Sequence, residues 1–118
     1  MSTAESHDRS ETAYAYAGPD ELREPIEQAL RRVVDPEVAM TIVDVGLVYG
    51  VALIDQTVSV TMTMTSPACP VADVIVEDVE LELDRVVPQD LKIHVELVWE
   101  PAWTSKRMSA RAKAFMGW

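Results

Sequence analysis

Cys69 is the chain's one cysteine, and two prolines bracket it in the stretch Thr65-Ser66-Pro67-Ala68-Cys69-Pro70. Pro67 makes the approach extended, and Pro70 suits the first position of a helix, where a missing N–H costs nothing. Cys69 would then be the N-cap residue, its sulfur near free N–H groups and the positive end of the helix dipole. Such a setting lowers a thiol's pKa and favours the thiolate, the form that attacks electrophiles and binds metals. A small buried hydrophobe is the other fate open to a free cysteine. Asp73, in the first turns beyond it, works against thiolate formation.

Three carboxylates form a second group, Asp35, Glu37 and Asp44, within the loop that runs from Asp35-Pro36-Glu37 through Ile42-Val43-Asp44-Val45-Gly46. They could act as acid–base groups or hard metal ligands. They could equally cap neighbouring elements, with Asp44 bonding nearby backbone N–H groups in a turn. Trp99 and Trp103 flank Pro101. They either clamp the last helix onto the core or border a docking pocket, since tryptophans anchor many interfaces.

The elements that must position these residues follow from periodicity. Residues 1–19 are polar and poor in large apolar side chains, which reads as a disordered tail containing His7. Residues 20–118 form the domain. Pro25 should break a helix begun at Asp20, so a continuous helix is expected from about Glu24 to Val34, with Ile26, Ala29, Leu30 and Val33 as its apolar stripe. Pro36 ends it by pushing Asp35 out of the helical region. Strands are expected at about 47–54 and 58–65, joined as a hairpin at Asp55-Gln56-Thr57 without an Asn-Gly or Asp-Gly turn. Val58, Val60, Met62 and Met64 alternate with Ser59, Thr61, Thr63 and Thr65, so one face is apolar and one is lined by hydroxyls.

After Cys69 a helix runs to about Arg85 on a stripe of Ala72, Ile75, Val76, Val79, Leu83 and Val86. A third strand covers 91–98, with His94 on its polar face, and a final helix covers about 105–115, with Thr104-Ser105 as cap candidates. The expected architecture is α+β. It is a compact two-layer domain in the order α-β-β-α-β-α, with a small mixed three-stranded sheet covered by helices on one face. The helical crossover between the second and third strands should be right-handed if those strands are parallel.

Composition limits the function. The net charge of −10 argues against nucleic acid, because phosphate binding needs a basic face. No apolar run approaches a membrane span, and the N-terminus lacks the layout of a secretory signal. One cysteine forms no internal disulfide, which points to a reducing, cytoplasmic home. Residues 73–84 carry six acids and no base, whereas 106–113 carry four bases and no acid. These runs are solvated helix faces or complementary docking surfaces.

Asp35-Pro36-Glu37, Ile42-Val43-Asp44-Val45-Gly46-Leu47-Val48-Tyr49, Thr61-Met62-Thr63-Met64-Thr65-Ser66-Pro67-Ala68-Cys69-Pro70 and Val95-Glu96-Leu97-Val98-Trp99-Glu100-Pro101-Ala102-Trp103 occur in that order. Together they resemble the SufT/PaaD-like iron–sulfur cluster assembly family, which includes the targeting subunit of the eukaryotic cytosolic iron–sulfur machinery. The resemblance spans about residues 22–116. It implies a non-enzymatic factor that matures iron–sulfur proteins by carrying a transient cluster or passing it to clients. It puts the motif thiol on Cys69, a functional loop on Asp35, Glu37, Asp44, Thr65, Pro67 and Pro70, and partner contacts on Trp99 and Trp103. PaaD-type members, tied to an aromatic ring-activating oxygenase, carry an extra cysteine-rich C-terminal segment. No cysteine follows Cys69 here, which leaves the simpler SufT-like form.

Iron–sulfur clusters are usually held by four thiolates, and one chain offers one. A carrier would therefore share Cys69 across a homodimer, borrow a small thiol or partner ligand, or use oxygen or nitrogen ligands. An adaptor would instead dock clients, among them an oxygenase system, onto an assembly scaffold without binding a cluster. A thiol enzyme, with Cys69 as nucleophile and Asp44 or His94 as base, is the third reading. It ranks last because no catalytic signature surrounds the cysteine.

Overall fold

The computed structural model describes residues 14–65 and 72–117. Its elements are β1 (Ala15–Ala17), α1 (Asp20–Leu30), β2 (Val34–Asp35), β3 (Met40–Thr41), α2 (Ile42–Val45), β4 (Val48–Ile54), β5 (Thr57–Met62), α3 (Ala72–Val86), β6 (Lys92–Leu97), a 3-10 turn (Ser105–Arg107) and α4 (Ala110–Met116). The fold is α+β with a mixed sheet, as the periodicity indicates.

That sheet has four strands rather than three, in the order β1-β4-β5-β6. β1 lies parallel to β4, β4 is antiparallel to β5, and β5 is parallel to β6. The extra strand comes from residues read as tail. Ala15–Ala17 form a strand because β4 has an open edge and Tyr14 and Tyr16 pack against the core. Tyr16 donates its hydroxyl to the Pro19 carbonyl at 2.7 Å, and Arg23 stacks over its ring at 4.7 Å. The first thirteen residues lie outside the described part.

This anchoring also explains why α1 begins at Asp20 and carries Pro25 inside it. Pro19 supplies an extended entry, and half-buried Pro25 removes one backbone bond, the one to exposed Glu21, which water can replace. At the other end Arg31 caps the helix, so α1 stops four residues earlier than expected. The Ile42 N–H takes the Val33 carbonyl at 2.9 Å and Val34 pairs with Thr41, drawing the chain into a hairpin instead.

β4 and β5 join through Asp55 and Gln56, both at positive φ (49° and 63°), the two-residue geometry that matches strand twist. Inward residues of the sheet are Val51, Val58, Val60 and Met62, and the facing helices contribute Ile26, Ala29, Leu30, Ile75, Val79 and Leu83, all buried. Each of these side chains except that of Ala29 contributes roughly 1.5–3 kcal/mol relative to exposure. The strand alternation fails at Thr63, which lies beyond the end of β5 and is buried despite its polar parity. The expected final helix is split. A 3-10 turn precedes α4, whose true cap is Ser109, accepting the Ala112 N–H at 3.0 Å. Thr104 makes no side-chain cap bond, and Phe115 on α4 is exposed. No helix among the described residues is long and apolar enough to cross a membrane.

Candidate functional site

Three backbone bonds tie the loop segments into one end of the sheet. The Ile42 N–H donates to Val33, the Leu47 N–H to Ile42 and the Thr63 N–H to Leu47, each at 2.9 Å. The carboxylate loop thus abuts the exit of β5, from which the chain continues through Thr65 toward Cys69. Thr65 is half-buried. Cys69, Pro67 and Pro70 lie outside the described residues.

Asp35 is fully buried. Its Oδ1 accepts the Glu37 N–H at 2.9 Å, and its carbonyl accepts the N–H groups of Val38 (3.2 Å) and Ala39 (2.8 Å), closing the turn. Ala39 sits at φ 59°, a left-handed conformation that a side chain disfavours. Asp35 Oδ2 and Thr63 Oγ1 are buried and have no hydrogen-bond partner among the described residues. A buried polar oxygen left unpaired is costly, so such atoms mark strain or a ligand-directed role. Thr63 escaped the sequence reading, which assigned it to a solvated face. Its parity gave no signal, because the burial arises where the strand stops.

Asp44 belongs to a different network. Its N–H donates to Thr41 Oγ1 at 3.0 Å, and its Oδ2 accepts from the same hydroxyl at 3.3 Å. Arg31 reaches Oδ1 at 3.4 Å and binds Glu27 at 2.8 Å, and Tyr14 donates to Glu27 at 2.7 Å. Burial pushes the Tyr14 hydroxyl well above its ordinary pKa, reinforced by its bond to Glu27. For Arg31, burial opposes the charge, but Glu27 and Asp44 outweigh it and hold the guanidinium above its usual value. Thr41 therefore caps α2, and the Asp44 carboxylate holds that hydroxyl and anchors α2 to α1 through Arg31. Among the described residues no group of three His, Cys, Asp or Glu side chains is placed to hold a metal ion. His94 is exposed on the outer sheet face.

The C-terminal segment saturates the carbonyls that α2 leaves open. Asp44 O accepts from the Ser109 N–H (2.8 Å), Val45 O from the Trp103 indole (2.8 Å), and Gly46 O from Arg107 Nε (2.8 Å). Arg107 also reaches Val48 O at 3.1 Å and stacks on Tyr49, whose hydroxyl donates to Pro101 O at 2.6 Å. Gly46 is required here. Its φ is +84°, and a Cβ would overlap the Arg107 backbone. Trp103 is thus committed to the clamp, whereas Trp99 stays 42% exposed. Arg107, counted within the basic run, spends its charge internally.

This α+β architecture, with its motif loop at one end of a mixed sheet, has close counterparts. A solved domain from Bacillus anthracis superposes with a TM-score of 0.76 at 40% identity, covering 83% of this chain and 93% of that one. The chain is 43% identical over 98 residues to the Fe-S protein maturation auxiliary factor YitW of Bacillus subtilis, covering 81% of this chain and 94% of the relative. It is 41% identical over 86 residues to the corresponding factor SufT of Staphylococcus aureus, covering 72% and 97%. The iron-sulfur cluster assembly protein family matches residues 23–97, and the chain belongs to that family.

Proposed function

We propose that this protein is an iron–sulfur protein maturation factor in which Cys69 is the working thiolate, taking up a cluster transiently and delivering it to client apoproteins. The observation that carries the reading is the pair of buried oxygens without a partner among the described residues, Asp35 Oδ2 in the carboxylate loop and Thr63 Oγ1 on the segment that leads from β5 toward Cys69. Family membership supplies the cargo class. The cluster is cargo, and a single thiol leaves most of its ligands to come from a second copy, a small thiol or the client. The role is that of an accessory protein acting with an assembly scaffold, without turnover chemistry of its own. Trp99 contacts a partner; Glu37, Thr65, Pro67 and Pro70 shape the loop, and Asp44 holds its base.

The test is iron and sulfide content, solution mass and client maturation for anaerobically purified wild-type and Cys69→Ser protein. Cluster uptake and client activation should vanish in the serine variant while its thermal unfolding stays within a few degrees of wild type. A large fall in melting temperature would instead make Cys69 a packing residue and sink the proposal.

A further inference from the structure

We propose that the groove between α3 and the free edge of β6 receives an extended, basic–apolar segment of a partner protein as an added strand. The groove does not depend on whether Cys69 handles a cluster. The Lys92 N–H donates to Gln56 O and the Val98 N–H to Met62 O, which sets the phase of the parallel β5–β6 ladder. In that phase the N–H and C=O groups of Ile93, Val95 and Leu97 point away from β5. β6 ends the sheet, and no strand among the described residues pairs with that side. An open edge of this kind is a template for another chain.

Beside that edge lies a groove of about 820 Å³, lined by Glu77, Glu80, Leu81 and Asp84 of α3 and by Leu91 and Ile93. α3 crosses between two parallel strands and so runs antiparallel to β6. Two large apolar side chains on this helix face outward, Val74 at 52% and Leu81 at 63% exposure. They are seven residues apart on one helix face, about 10 Å by the helical rise. Glu77 lies between them and Asp84 follows, within the run of six acids and no base. Among the described residues Lys92 is the one cation lining the groove.

That pattern specifies the occupant. Side chains facing α3 from an added strand recur every second residue, so apolar groups would meet Val74 and Leu81 while Lys or Arg met Glu77 and Asp84. A second copy is the poorer fit. Two-fold pairing of β6 with β6 would bring the two 73–84 runs together, six acids on each against Arg85 and Lys92.

The probe is a labelled peptide, acetyl-Leu-Thr-Lys-Thr-Leu-Thr-Lys-amide, with a control carrying Glu for each Lys. Backbone amide exchange and binding anisotropy are read at low salt on the full chain. The expected result is at least tenfold slower exchange at Ile93, Val95 and Leu97 on saturation. Binding should weaken at least tenfold for the Glu control and for the E77K/D84K variant, whose changes are on the surface. Unchanged exchange at those amides, or binding indifferent to the charge reversal, overturns the proposal. So does a free protein already dimeric with the same amides protected, since the edge would then belong to a second copy.

Discussion

The Asp44–Val48 segment and the side-chain oxygens of Asp35 and Thr63 are treated oppositely, although Leu47 itself accepts the Thr63 N–H. In the first, the carbonyls of Asp44, Val45, Gly46 and Val48 are taken by Ser109, Trp103 and Arg107. In the second, two buried oxygens have no partner among the described residues. Saturation makes a rigid base, and an unpaired buried oxygen is a cost borne where a ligand is to be met. The first region is expected to carry stability, and the second is where we propose that function lies.

The largest effect should come from breaking the base. Gly46→Ala forces a side chain into a left-handed position against Arg107, and a loss of about 3 kcal/mol or more is expected in urea unfolding. Wild-type stability would refute the clamp. Arg107→Ala removes two bonds to buried carbonyls and the stack on Tyr49, for an expected loss of about 2 kcal/mol. Thr63→Val should act in the other direction. Removing an unpaired hydroxyl should raise stability by about 1 kcal/mol while client maturation falls. A destabilised Thr63→Val would mean that the hydroxyl is paired in the native protein.

The smallest effect is a pH dependence. Folding raises the Tyr14 pKa, chiefly by burial, so its contribution is complete below the unfolded value of about 10 and is lost as pH rises beyond it. Tyr14→Phe should flatten the fall in melting temperature above pH 10, with little change at pH 7. An unchanged alkaline limb would show that the hydroxyl is not buried against Glu27.

Much of this was legible before any coordinates. The buried Val58, Val60 and Met62 and the stripe Ile75, Val79 and Leu83 follow from period-2 and period-3.6 patterns. Bonding of a loop carboxylate to backbone N–H groups was one of the open readings; Asp35 does this with Glu37, whereas Thr41 caps α2 and the Asp44 carboxylate bonds side chains. Other features had no local signature. β1 is three residues long and exists because β4 has an edge to fill. Pro25 reads as a helix breaker, but the anchored Tyr16 and Pro19 hold the first turn in place.

The chain's local chemistry therefore determined its elements, its apolar faces, its acidic helix and the motif around Cys69, because each depends on neighbours within a few residues. Tertiary structure decided which distant group takes each backbone carbonyl. It committed Trp103 to Val45 across 58 residues and Arg107 to Gly46 across 61. It also separated Asp44, locked to Arg31, from Asp35, buried with one oxygen unpaired among the described residues. Such pairings depend on how the chain returns on itself, and hydrophobic periodicity does not encode that return.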